Sequence, residues 1–244
     1  MLKRSIPNAV TCLNLLCGCL ALTFIFAGRL DVGAYFVGAA AVADFFDGLL
    51  ARALRVSSAI GKDLDSLADM VSFGVVPGAI LFQLLMQTQI VAPNPGSHFA
   101  MVLPGPMDAL PFFAFLVTIF SALRLAKFNN DTRQTTSFIG LPTPACTLVV
   151  ASLPLILEND QFGIAPFILN PWVLVALTVL LSGLLVAELP LFALKFKNLR
   201  WADNRRRFLF VLVAAGLLLV LQAAAVPLVV LIYVLFSIPK PVNR

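Results

Sequence analysis

Charge is scarce in this chain. Asp, Glu, Lys and Arg make up 12% of its 244 residues, about half of the ~25% usual in a soluble domain, which excludes an ordinary water-facing globular surface. Histidine is scarcer: His98 stands alone, so no histidine metal cluster can form and no Ser–His pair is in evidence. The four cysteines, Cys12, Cys17, Cys19 and Cys146, all lie in apolar stretches. Cys17-Gly18-Cys19 is too tightly spaced for a zinc site, and all four read as small core residues. Alternating ten-residue segments of the kind that build a membrane barrel are missing. So is a small-residue cleavage site after MLKRSIPN, and the first apolar run is expected to be a retained span, not a removed signal. There is no internal repeat and no low-complexity tail.

What the chain does have is apolar length. It is 60% hydrophobic with a mean hydropathy of +0.98. Backbone groups in lipid must be satisfied within each span, so these runs predict an all-α polytopic membrane protein. About eight helices are expected, near residues 8–27, 32–54, 60–86, 109–126, 141–157 and 172–194, with two more filling 208–238. The sequence reads as one membrane-embedded domain over 1–244, with a core over about 5–200 and an added helical hairpin. Gly74, Pro77 and Gly78 predict a kink or a close helix contact in the third span.

The net charge is +5. A nucleic-acid partner is the usual alternative for a basic chain, but here the basic residues flank spans. With eight spans, 16 of the 17 Lys and Arg fall on one side, all but Arg29. By the positive-inside rule that side is cytoplasmic, which places both termini there and His98 opposite.

The same side receives the feature hardest to reconcile with lipid, the acids of DFFDGLLARALRVSSAIGKDLDSLAD at 44–69. Ionisable residues at membrane depth read by default as a functional site. Asp44 and Asp47 share a helix face, as do Asp65 and Asp69, and a tight turn between the spans lets the pairs face each other. Four carboxylates so close repel, and a divalent metal is the better compensation. Oxygen ligands without His or Cys suit Mg²⁺, Mn²⁺ or Ca²⁺, and four carboxylates can hold two such ions. That points to phosphoryl or phosphodiester chemistry. Gly48, Ala51 and Gly61, interleaved with the acids, let a ligand approach the backbone, although small residues also permit close helix packing. In the first span Asn8, Thr11 and Asn14 recur every three residues on one face; spacing alone leaves them as interhelical hydrogen-bonders or as the wall of a polar cavity.

Asp44-x2-Asp47-Gly48-x2-Ala51-Arg52-x8-Gly61-x3-Asp65-x3-Asp69 resembles the signature of the CDP-alcohol phosphatidyltransferase family at all eight of its fixed positions. Within that family the chain most resembles the CDP-diacylglycerol–serine O-phosphatidyltransferases. The segments that carry this are Pro7-Asn8-x2-Thr11-x2-Asn14-Leu15-x2-Gly18, Ser72-Phe73-Gly74-x2-Pro77-Gly78, Arg124-Leu125-Ala126-Lys127-Phe128-Asn129 and Gly140-Leu141-Pro142-Thr143-Pro144-Ala145.

The resemblance implies a six-helix core, a homodimer in the cell (inner) membrane, and an active site facing the cytoplasm. It implies transfer of the phosphatidyl group from CDP-diacylglycerol to L-serine with release of CMP, by direct displacement. Asp44, Asp47, Asp65 and Asp69 would hold two divalent cations, and Asp69 would also be the general base. Gly48, Ala51, Arg52 and Gly61, with Asp47, would line the CDP site. The serine carboxylate needs a cation, and Arg124, Lys127 and Arg133 lie on the correct side; Asn8, Thr11 and Asn14 lean towards the same pocket. A sister enzyme using glycerol 3-phosphate or inositol phosphate shares the metal site. A divalent-cation transporter is the reading from another class, but transporters place such sites near the midplane, often with repeats.

Overall fold

Long apolar runs have one low-cost conformation in a bilayer, the α-helix, and the computed structural model of this chain is built from helices. It describes residues 2–56, 58–91, 109–130, 138–160, 162–191 and 201–237. The elements are α1 (Leu2–Phe26), α2 (Leu30–Ala53), α3 (Ala59–Asp69), α4 (Val76–Val91), α5 (Phe115–Asn130), α6 (Thr143–Asn159), the single turn α7 (Ala165–Ile168), α8 (Pro171–Val186), α9 (Trp201–Leu221) and α10 (Ala225–Ser237).

Among the described residues, five helical stretches are long and apolar enough to cross a membrane: Ser5–Phe26, Leu30–Ala53, Ala59–Thr88, Leu110–Asn130 and Arg207–Ser237. Two shorter apolar helices, Thr143–Asn159 and Pro171–Val186, add to them. The last long stretch is not one rod. It breaks at Gln222–Ala224, where Gln222 takes φ +48°, and Phe210 meets Tyr233 ring to ring at 5.7 Å. That contact across 23 positions makes α9 and α10 an antiparallel hairpin, which brings the apolar helical segments among the described residues to the eight expected. The chain is an all-α polytopic membrane protein.

α1 packs most extensively on α2, and α5 on α8. The apolar core runs through the middle of the bundle, with Ile25, Val37, Ile80, Leu85, Val117, Val150 and Leu174 almost fully enclosed. One small element was not foreseen. Phe138–Ile139 (β1) pairs antiparallel with Pro190–Leu191 (β2), too short for a period-2 pattern to show. This pairing, the Arg124 to Leu141 bond and the Lys62 to Asn129 bond put the start of α3, the end of α5, Phe138–Leu141 and Pro190–Leu191 at one end of the bundle. At the opposite end, Gln222–Ala224 lies against Leu155, Ile156 and Asn159 of α6.

The irregularity at Gly74-x2-Pro77-Gly78 proves to be both a distortion and a close contact. Between α3 and α4 the helix widens into a π-helical segment, Met70–Val75. Pro77 has no N–H to give to the carbonyl four residues back, and its ring crowds that carbonyl. The carbonyl belongs to Phe73, and it is satisfied from another helix: Thr147 Oγ1 donates to it at 2.9 Å while also lying 2.9 Å from its own Thr143 oxygen. Likewise Thr118 Oγ1 donates to the Gly74 carbonyl at 2.9 Å, and a Cβ on Gly78 would collide with that same hydroxyl. Neighbouring hydroxyls thus take up what the broken ladder releases, as lipid requires. Thr147→Val, which keeps shape and removes the donor, is expected to lower stability by about 1 kcal/mol, read as a lower unfolding midpoint in detergent, with Thr147→Ser close to wild type. No loss in the valine variant would mean that the Phe73 carbonyl has another partner.

Candidate active site

The site grows from the junction of α1, α2 and α3. α2 ends at Ala53, and Arg55 takes φ +52° as the chain reverses. Ser58 then starts α3 as its N-cap, its hydroxyl accepting from the Gly61 N–H at 3.0 Å, which satisfies one of the orphan donors of a helix start. The reversal is tight, so the last turns of α2 lie beside the first turns of α3, and the two acid pairs meet. Asp44, Asp47 and Asp65 each present an oxygen, all within 4.8 Å of one another. Asp69 sits one turn deeper and meets Asp44 side chain to side chain.

α1 closes the third side with the face that carries Asn8, Thr11 and Asn14. Thr11 Oγ1 donates to Asp47 Oδ2 at 2.7 Å, shorter than its 3.1 Å approach to the Pro7 carbonyl. Asn14 Nδ2 donates to Asp69 Oδ1 at 3.2 Å, and Ser72 Oγ holds the Asn14 carbonyl at 3.1 Å. Thr11 and Asn14 are buried. The open alternatives for this face both apply: Thr11 and Asn14 bond across helices, and Asn8 and Thr11 also line a cavity.

That cavity, of about 240 Å³, opens beside the acids and is lined by Asn8, Thr11, Asp47, Gly48, Ala51, Gly61 and Asp65 together with Pro7, Val56, Ser58 and Lys62. The small residues do different jobs in it. A Cβ on Gly48 would meet nothing nearer than an Arg52 Nη at 3.9 Å, so Gly48 leaves open space. A Cβ on Gly61 would lie 3.0 Å from Asn8 Oδ1 and 2.9 Å from Ser58 Oγ, so Gly61 also lets α3 approach α1. Arg52 is exposed and does not line the cavity; its guanidinium folds back towards Gly48, which does.

The carboxylates fit divalent cations. Hard ions take oxygen ligands at about 2.0–2.6 Å, and oxygens within 4.8 Å of one another can share one. Among the described residues no histidine or cysteine joins this cluster, and no cation is within ion-pair distance of its acids. Clustered acids in an apolar bundle without such a partner need a charge from outside the chain.

Of the three basic candidates for the acceptor pocket, Arg124 and Lys127 differ in burial. Arg124 is buried on α5, where its Nε donates to the Leu141 carbonyl and its guanidinium lies 5.7 Å from the Phe128 ring centre. It is within electrostatic reach of Asp69 and of Tyr233 on α10. Lys127 is exposed in the last turn of α5. Arg133 lies outside the described residues, as does His98. Pro7, Val56, Ser58 and Lys62 are site neighbours that residue-type reasoning passed over. Ser58 carried a usable signal, a serine directly before a helix; Lys62 looked like one more cation flanking a span.

The family model of the CDP-alcohol phosphatidyltransferases matches residues 4–184. The CDP-diacylglycerol–serine O-phosphatidyltransferase of Bacillus subtilis is 31% identical over 169 residues, 66% of this chain and 84% of that protein. The enzyme of the same name from Helicobacter pylori is 28% identical over 236 residues, 95% of this chain and 89% of its own. The one from Saccharomyces cerevisiae is 35% identical over 136 residues, 50% of this chain and 42% of the yeast protein.

Proposed function

The chain belongs to the CDP-alcohol phosphatidyltransferase family, and from that membership we propose that it transfers the phosphatidyl group of CDP-diacylglycerol to the hydroxyl of L-serine, giving phosphatidylserine and CMP. The observation that carries the reading is the convergence of Asp44, Asp47 and Asp65 beside a cavity at one end of the bundle that Asp47 and Asp65 line. The serine acceptor is supported by similarity to an enzyme of that name over 95% of this chain.

Asp44, Asp47, Asp65 and Asp69 would hold two divalent cations, Mg²⁺ or Mn²⁺ with Ca²⁺ as a third option. Such ions, when bound, polarise the diphosphate and stabilise the entering and leaving oxygens. The chain's own residues do the rest. Thr11 and Asn14 orient Asp47 and Asp69. Gly48, Ala51 and Gly61 leave room for the cytidine nucleotide, with Arg52 folded back towards Gly48. Asp69 accepts the proton of the serine hydroxyl as its oxygen attacks the lipid-side phosphorus. The new O–P bond forms as the bond from phosphorus to the CMP oxygen breaks, and the proton remains on the carboxylate until release. No covalent enzyme intermediate is required.

Arg124 is the best partner for the serine carboxylate. A buried guanidinium without an acid at ion-pair distance among the described residues is a charge awaiting an anion. Arg124→Ala is expected to raise the serine KM by about 10- to 100-fold, the size of a lost charge-assisted hydrogen bond, with a much smaller effect on the KM for CDP-diacylglycerol. An unchanged serine KM would remove Arg124 from the pocket and leave Lys127 and Arg133. The acceptor itself is tested by CMP release from CDP-diacylglycerol with L-serine, glycerol 3-phosphate and inositol phosphate in turn. Preference for either phosphate would make the chain a sister enzyme. The remaining parts of the proposal are one catalytic domain with its active site at the cytoplasmic face of the inner membrane, and a homodimer that cross-linking in intact membranes would report.

A further inference from the structure

The cavity wall is acidic on one side, with Asp47 and Asp65, and among the described residues its lining contains a single cation, Lys62. Lys62 ends the first turn of α3, where the helix dipole favours acids and disfavours lysine, so local preference does not explain it. Its position is held from outside α3. Lys62 Nζ donates to the Asn129 carbonyl at 3.2 Å, one of the carbonyls left without a helical partner at the end of α5. Asn129 Nδ2 donates to Ser66 Oγ at 2.8 Å, and Ser66 Oγ donates to the Lys62 carbonyl at 3.1 Å. This closed set of bonds ties Lys62, a residue of the cavity wall, to the end of α5. An ammonium has three N–H donors, and one is spent on Asn129.

Charge balance supplies the reason. Two divalent cations would neutralise the four carboxylates, which would leave the charge of an incoming diphosphate to the cations of the chain. Arg52 is exposed outside the lining; Lys62 stands in the wall. We propose that Lys62 is the cation that pairs with the phosphates of the cytidine nucleotide, and that the end of α5 positions it for that contact. The proposal rests on the reading that this cavity takes CDP-diacylglycerol.

The test uses the full chain in nanodiscs, with CDP, CMP and unphosphorylated cytidine as probes. Lys62→Gln keeps a donor for the Asn129 carbonyl and removes the charge. It is expected to weaken CDP binding about five- to twenty-fold, between the values of an exposed ion pair and of a charge-assisted hydrogen bond, and to leave cytidine binding as in wild type. The gap between variant and wild type narrows as salt is raised, and Lys62→Arg restores most of the affinity. If Lys62→Gln binds CDP as tightly as wild type, or if Lys62→Met weakens cytidine as much as CDP, Lys62 only ties α3 to α5 and the proposal is overturned. If the wild-type chain binds neither CDP nor CMP, the nucleotide reading of the cavity falls as well.

Discussion

Asp69→Asn is expected to cut CMP release from CDP-diacylglycerol and serine by roughly 10²–10⁴-fold, the range over which a positioned general base contributes. The substitution is nearly isosteric. The amide oxygen it introduces can still accept from Asn14 Nδ2, which now holds Asp69 at 3.2 Å, so the junction of α1 and α3 is preserved. What is lost, on the proposed mechanism, is the basicity that would take the serine proton, and one carboxylate of the cluster. Fold and chemistry are therefore separable: the variant should unfold near the wild-type temperature in the absence of divalent ions and still bind CDP. Activity within tenfold of wild type would show that another group accepts the proton.

Chelation of divalent ions should reduce turnover to background, with restoration by Mg²⁺ or Mn²⁺. The same ions should raise the unfolding midpoint of the wild-type protein, since a ligand that binds only the folded state stabilises it by mass action. The sign reverses without them. Asp44, Asp47 and Asp65 converge within 4.8 Å, so in chelator the cluster is a site of repulsion. Asp65→Asn should then be at least as stable as wild type in chelator and less stable than wild type in saturating Mn²⁺. Full turnover in chelator, or an Asp65→Asn protein that gains as much from Mn²⁺ as the wild type does, would refute the metal site.

How much of this was legible follows from the range of the interactions. The signature acids were readable because their spacing is a helix spacing: Asp44 and Asp47, and Asp65 and Asp69, each share a face by backbone geometry alone. Asn8, Thr11 and Asn14 were readable as one face for the same reason, but not what they face. That Thr11 meets Asp47 and Asn14 meets Asp69 depends on how α1 docks, which no local period reports. The break near Pro77 was visible, because proline lacks a donor; that Thr147, 70 positions later, supplies the replacement to Phe73 was not. Arg124 and Lys127 looked alike as cations at the end of one span. Burial separates them, and burial belongs to the packed bundle. The β1–β2 contact is two residues long on each side and leaves no pattern to read.

The sequence by itself determined that this is a helical membrane protein with its acids paired on two successive spans. Apolar length and helical period are local properties, and lipid permits few other backbone arrangements. Only the tertiary structure decided that α1 braces those acids, that Gly48 opens onto a cavity while Gly61 also serves a close approach, and that Lys62 stands in the cavity wall. These are contacts between distant segments, set by helix docking and by the need to satisfy every polar group that the bilayer isolates from water.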